Sequence, residues 1–451
     1  MASSSVSSPV LLEDRVRRRW YWFCAIVGIV LCVSQLFEIP ARSALRGYDN
    51  TFNYLWLRSA MVDHDWDFRN DLEQCNTLTP EYRAAALALR TTPTGRIPNK
   101  YGVGWATLTL PFYLVADLLV SAGRAAHLWS FANDGFNPVY QICIQIGHVL
   151  LALLALKLAI EVVDFWVDDR TAAVAGVVCT WAASPLLYYQ SMNVSMNHGA
   201  AFFAIAVLAY SLVRTKRANG NLGWWLMAGA GWGLATVVRY QLIVFILSAV
   251  WCAWKNQNTL RSRTRVLLLF TLGAAPWLLL QSLAWHSVYG DWFVFSYGAE
   301  GESFHWGNPA VISSLFSPWH GLFYWHPFLV VGFVGMASWA WRKRGSAIAW
   351  SAVFGVTIYL NAAWWCWWFA SAFGSRGCDA ALLPLMAGVG WLFARLKPNA
   401  RAFLWCVAIV FGTWNFYVAV LYRTGAISRS EPVTWTQMLE GSRDLGDALH
   451  F

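Results

Sequence analysis

Asp49 is the first carboxylate after the opening apolar run, in Arg46-Gly47-Tyr48-Asp49-Asn50-Thr51-Phe52-Asn53-Tyr54-Leu55-Trp56. The polar stretch it opens runs to Asn99-Lys100 and carries Asp63, Asp65, Asp67, Arg69, Asn70 and Asp71. A carboxylate at a water–lipid boundary can take a proton from a hydroxyl; burial raises its pKa and neighbouring cations lower it. Lys100, Arg239 and Arg376 each stand at the end of an apolar run, where a cation is costly beside lipid tails. Together they suit a phosphate or diphosphate at headgroup depth; singly, each also fits a side chain snorkelling to water. Asp63-His64-Asp65-Trp66-Asp67 has the residue types of a metal cluster, yet Asp at alternate loop positions more often caps helices or faces water. His198 and His305 offer metal or phosphate contacts as well as ordinary structural hydrogen bonds. No metal ligand is assigned and no cofactor is named; a divalent metal stays open. GxSxG, HExxH, P-loop and dinucleotide fingerprints are absent from the sequence.

The elements that must hold these residues are membrane helices. The chain of 451 residues is 58% hydrophobic and only 13% charged, about half the charge of a soluble domain, and its mean hydropathy is +0.43. Its net charge of +9 falls in short clusters between apolar runs, as membrane orientation requires, so it points to a bilayer and away from nucleic acid. The nine Cys form no CxxC pair, which excludes a zinc ribbon or a disulfide framework.

Apolar segments lie at 20–39, 101–122, 139–163, 171–189, 196–213, 222–238, 240–254, 265–287, 323–341, 346–362, 379–395 and 401–421. The block 222–254 would be about 50 Å long as one helix against a hydrocarbon core of about 30 Å, so it divides into a hairpin with Arg239 at the tip. The clusters at Arg15 to Arg19, Arg214/Lys216/Arg217, Lys255 to Arg265, Arg342/Lys343/Arg344 and Arg395/Lys397/Arg401 belong on the cytoplasmic side. Parity then requires one early segment not to cross. The segment 101–122, with Pro111 and Asp117 inside it, is assigned to the outer leaflet.

The expectation is an all-α polytopic membrane protein of about eleven spans, the twelve segments less one. Residues 1–19 form a cytoplasmic tail, 20–421 the membrane core and 422–451 an exterior tail. Long exterior loops at 40–138, carrying juxtamembrane helices, and at 288–322 gather the unusual polar residues on one face. The dense Trp run at 364–368 joins them, and beyond an interfacial belt it suits a groove for a sugar or an isoprenoid chain.

Asp49 in a large loop after the first span, followed by Lys100 opening the next apolar segment, resembles the GT-C superfamily of glycosyltransferases, with the protein O-mannosyltransferases and lipid A aminoarabinose transferases as the nearest families. The resemblance implies that Asp49, in Gly47-Tyr48-Asp49-Asn50, is the catalytic acid–base. It implies that Lys100, in Asn99-Lys100-Tyr101-Gly102, contacts a donor phosphate, with Arg239 and Arg376 beside it. Asn50, Tyr54, Asn197, His198, Tyr240, Tyr297 and His305 become candidate substrate contacts. Two departures stand out: Asn50 sits where many relatives carry a second acid, and Asn197-His198 sits where the aminoarabinose enzymes carry an Asp. The implied partners are a polyprenyl-phosphate sugar, an acceptor that is glycan, lipid or protein, and the bilayer. The implied location is a multi-pass protein of the plasma (inner) membrane if bacterial, with its site on the exterior or periplasmic face. A lipid-linked-sugar flippase and a polysaccharide ligase or polymerase are the competing readings. A flippase needs polar residues through the spans, and a ligase needs its largest outer loop late in the chain.

Overall fold

The computed structural model describes residues 30, 31, 33, 45, 47–217, 221–343 and 345–448. The expected first span at 20–39, its basic flank at Arg15 to Arg19, the 1–19 tail and Arg46 therefore lie outside the described residues or nearly so. Every other apolar segment of the sequence is helical, and no strand occurs among the described residues beyond an isolated bridge between Phe304 and Trp364.

The first loop holds three short helices, α1 (Tyr48–Arg58), α2 (Phe68–Gln74) and α3 (Pro80–Leu87). Their starts are written locally: Asp67 caps α2 through the Arg69 amide, and Thr79 caps α3 ahead of Pro80, each cap contributing about 1 kcal/mol. The Asp-rich stretch thus serves capping and pairing. Asp65 accepts from Ser59 at 2.9 Å, while Asp63 and Asp71 both pair with Arg58. Arg58 is buried to 1% exposure, Asp71 to 0%, and Arg58 also donates to Gln74 and to the Asp134 carbonyl. This one guanidinium ties α1, α2 and the end of the loop together.

The helices that follow are α4 (Gly104–Ala125), α5 (Pro138–Val167), α6 (Arg170–Ala182), α7 (Pro185–Ser191), α8 (Asn197–Arg217), α9 (Gly223–Val238), α10 (Ile246–Asn256), α11 (Leu260–Tyr289), α12 (Leu329–Lys343), α13 (Ser346–Ala363), α14 (Leu383–Arg395), α15 (Pro398–Thr424) and the terminal α16 (Trp435–Ala448). Six of them (α4, α5, α8, α11, α13 and α15) are long and apolar enough to cross a membrane, and α6 with α7 makes a seventh as a pair bent by 79°. Pro185 sets that bend by ending the amide ladder of α6. The remaining apolar segments form helices of 11–16 residues, so length alone yields fewer crossings than the eleven expected. The segment 101–122, assigned above to the outer leaflet, forms most of α4, whose 22 residues and composition suit a span.

In the packing, α9 lies against α8 and α11, α14 against α6 and α12, and α5 against α8. The chain reverses at Arg239, where Trp232 Nε1 donates to the Ile243 carbonyl across the turn. The start of α8 and the end of α9 therefore meet at one end of the bundle. The basic clusters lie at the other end of the same helices, where Lys216 Nζ donates to Ser346 at the start of α13. α16 docks back on α15 through the Tyr417 hydroxyl, which donates to the Met438 carbonyl.

Candidate active site

Asp49 lies in the first turn of α1. One carboxylate oxygen accepts from the Tyr101 hydroxyl and the other from Arg376 Nη1 at 3.0 Å. Its side chain keeps 31% of its surface exposed, enough for another molecule to reach it. Burial raises the Asp49 carboxyl, but the Arg376 guanidinium, the Tyr101 hydroxyl and the Lys100 ammonium together outweigh it, so the group stays below the usual aspartate range. Burial and the facing carboxylate push the Tyr101 phenol well up. It remains a donor to Asp49.

The two residues are set by a short framework. Asn99 Nδ2 donates to the Phe52 carbonyl and Trp56 Nε1 to the Tyr101 carbonyl, stapling α1 to the 99–104 turn. That turn rests on the end of α9: a Cβ on Gly102 would stand 2.1 Å from the Val237 oxygen, and one on Gly104 would stand 2.5 Å from the Val238 nitrogen. Only glycine permits so close an approach of two backbones. Asn50 Nδ2 donates to Asn193 Oδ1 at 3.2 Å and to Ser195 Oγ at 3.0 Å, tying α1 to the turn before α8. The residue that replaces a second acid thus joins two loops.

Arg376 opens a short 3-10 turn, Arg376–Ala381. Its second nitrogen donates to the Phe369 carbonyl at 3.0 Å. Phe369 and Ala370 both have positive φ, 59° and 50°, a left-handed pair that non-glycine residues adopt only under constraint. His320 Nδ1 is 2.8 Å from the Trp368 carbonyl and the Phe373 amide donates to the Tyr189 hydroxyl, which hold this loop from both sides.

Arg239 is buried, with Nη1 3.0 Å from His198 Nδ1 and 3.1 Å from the Arg376 carbonyl it donates to. Turned to satisfy its neighbours, the Gln241 amide oxygen accepts from Arg239 Nε and Nη2 at 3.1 and 2.7 Å. Asp379 Oδ2 lies 3.1 Å from the same His198 nitrogen. Fully buried, Asp379 has its pKa driven well up by desolvation, against the pull of Arg239 and Arg376. Lys100 is paired with Glu300 and Glu302 and lies under Tyr297, whose ring meets those of Tyr101, Tyr240 and Trp364 edge-on.

The structure thus gathers Asp49, Lys100, His198, Arg239, Tyr240, Tyr297 and Arg376, with Asn50 just behind. Asn197 opens α8 beside them. Two expected residues stand apart. Tyr54 is fully buried on the far side of α1, its hydroxyl donating to the Gly135 carbonyl, and His305 is exposed on the 288–322 loop. Each cation of the expected phosphate cluster already faces a protein acceptor: a carboxylate pair for Lys100, Asp49 for Arg376, His198 and Gln241 for Arg239. Tyr101, Glu300, Glu302 and Asp379 received no role from the sequence. Tyr101 follows Lys100 directly, and that adjacency was the available signal. Among the described residues no group of three or more His, Cys, Asp and Glu side chains is placed to hold a metal ion.

A crystal structure of ArnT from Cupriavidus metallidurans in the apo state aligns over 96% of this chain and 74% of its own, at 12% identity and a TM-score of 0.53. The chain shares the ArnT fold. That is the GT-C-like, all-helical architecture expected from the resemblance. A second structure, of ArnT bound to undecaprenyl phosphate, aligns over 95% of this chain and 74% of its own, at 12% identity and a TM-score of 0.44. No family model matches the sequence, and no curated protein does.

Proposed function

We propose that the protein is an inverting glycosyltransferase that moves a sugar from a polyprenyl-phosphate donor to an acceptor hydroxyl on the exterior face of the membrane. The observation that carries the reading is Asp49, ionised, reachable, and held between Tyr101 and Arg376 beside Lys100 and Arg239. Asp49 takes the acceptor's hydroxyl proton as that oxygen bonds to the anomeric carbon. The bond from that carbon to the phosphate oxygen breaks on the opposite face, and polyprenyl phosphate leaves with the electron pair.

The cations answer the charge that builds on the leaving phosphate, a contribution that grows toward the transition state and so accelerates the step. Arg239 and Arg376 are joined through the Arg376 carbonyl, so both approach the phosphate as one unit. Tyr101 orients the base and leaves its second oxygen toward Arg376. The clustering of ionisable groups at one end of the bundle favours transfer over a flippase, which needs polar groups along the spans.

The test is transfer by the purified full-length protein in proteoliposomes, from polyprenyl-phosphate sugars to added acceptors. It runs alongside mass spectrometry of surface glycans from cells with and without the protein. Transfer that requires a lipid-phosphate sugar supports the reading. Movement of the intact lipid-linked sugar across the bilayer with no transfer would replace it with the flippase.

A further inference from the structure

The two glutamates that pair with Lys100 have no part in the transfer step as written. Lys100 Nζ lies 3.1 Å from Glu300 Oε2 and 2.5 Å from Glu302 Oε1. The rings of Tyr48, Tyr101 and Tyr297 stand 5.7–5.8 Å from the same ammonium, within cation–π range. Only 15% of the Lys100 side chain is exposed, and 13% and 15% of the two glutamates. The ammonium is boxed in by three rings and two carboxylates.

Both carboxylates come from one strap. At one end Ser296 Oγ donates to the Lys100 carbonyl at 2.8 Å. At the other, Phe304 bridges Trp364, the Trp365 amide donates to the Ser303 carbonyl at 3.0 Å and the His305 amide to the Ala363 carbonyl at 2.6 Å. Gly301, at φ +82°, turns the chain between Glu300 and Glu302 so that both reach one ammonium. Two negative charges then face one positive charge. Glu300 Oε1 is buried without a hydrogen-bond partner, which lowers the cost of drawing this carboxylate away.

We infer that Glu300-Gly301-Glu302 is an internal counter-ion that fills the anion seat of Lys100 until a lipid-linked phosphate displaces it. The inference rests on the proposed function, because it takes Lys100 as the donor-phosphate contact. Binding is then an exchange of one anion for another. A ligand with a charged phosphate can open the seat, and the matching polyprenol without phosphate cannot. The glutamates withhold Lys100 from weak anions and yield it to a lipid-linked phosphate.

The test is binding of undecaprenyl phosphate, with undecaprenol as the uncharged control, to the full-length protein in phosphatidylcholine nanodiscs. Wild type and the E300Q/E302Q double variant are compared, each with and without Lys100→Met. Neutralising the strap frees the seat, so the double variant should bind the phosphate roughly tenfold tighter, since apparent affinity scales with the fraction of open sites. Lys100→Met should erase the gain, and undecaprenol should respond to neither change. Should the double variant not fold, Glu302→Gln alone should show a smaller gain of the same sign. Equal or weaker binding after neutralisation, with wild-type binding still dependent on Lys100, overturns the counter-ion and leaves the proposed function standing. No preference for phosphate over polyprenol in any form overturns both.

Discussion

Asp49 and Arg376 stand 327 positions apart in the chain and 3.0 Å apart in space. Arg376 neutralises the carboxylate on one side and grips the Phe369 carbonyl on the other, so a strained loop and the proposed base share one guanidinium.

Replacing Asp49 by Asn keeps the shape and removes the base. Transfer in proteoliposomes should fall by about 10²–10⁴-fold, the usual contribution of a positioned general base, while binding of undecaprenyl phosphate in nanodiscs persists. Full activity in Asp49→Asn would remove Asp49 from the mechanism.

Arg376→Gln should move the pH profile. Arg376 is the leading influence holding the Asp49 carboxyl down against burial, so its loss raises the pKa of Asp49. The base form is then lost at a higher pH, and the acid limb of kcat/KM shifts upward relative to wild type. A lower kcat with an unmoved acid limb would mean that Arg376 acts on the leaving group alone.

The Arg58 network should report in stability. Arg58→Met leaves Asp71 buried without its cation; breaking a buried pair in this way costs about 3–5 kcal/mol, read as a lower thermal unfolding temperature in detergent. Burial pushes the Asp71 carboxyl from 3.8 to about 6, the Arg58 hydrogen bond pulling the other way. A carboxyl raised on folding contributes stability that is complete below its unfolded pKa and is lost as pH rises through its folded pKa. Wild type should therefore lose stability from this group between about pH 4 and about pH 7, and Asp71→Asn should flatten that part of the curve.

The contact between the 99–104 turn and α9 can be tested with one methyl group. Gly102→Ala forces a Cβ against the Val237 oxygen and moves Lys100 and Tyr101 relative to Arg239. Misplacement by about 1 Å is enough to cost roughly 10²-fold in a positioned reaction, so transfer should drop sharply, and the thermal unfolding temperature should fall with it because the clashing atom is backbone. Activity near wild type would show that the turn can shift without harm to the site.

Much of the frame was legible from hydropathy, because apolar periodicity and length report directly on helices. The break at Arg239 and the capping role of the Asp-rich stretch were readable for the same local reasons. Asp49, Lys100, Arg239 and Arg376 could each be singled out, since a charge at the end of an apolar run is conspicuous. Which charge meets which could not be read. Glu300 and Glu302 lie some 200 positions from Lys100, and nothing in their neighbourhood announces that they cancel it. Tyr54 misled for a related reason: it lies one helical turn past Asn50, yet its hydroxyl points to Gly135. Length alone does not decide the crossing count, because helices of 11–16 residues look alike in sequence whether they span or only wedge between spans.

The glycine seat at 102 and 104 also imposes a schedule on biosynthesis. Asp49, Tyr101 and their staples are made early, but the surface that receives them, Val237 and Val238, is synthesised more than a hundred residues later. Arg376 arrives later still. Until it does, Asp49 lacks its main counter-charge, and the site is incomplete until most of the chain has been made.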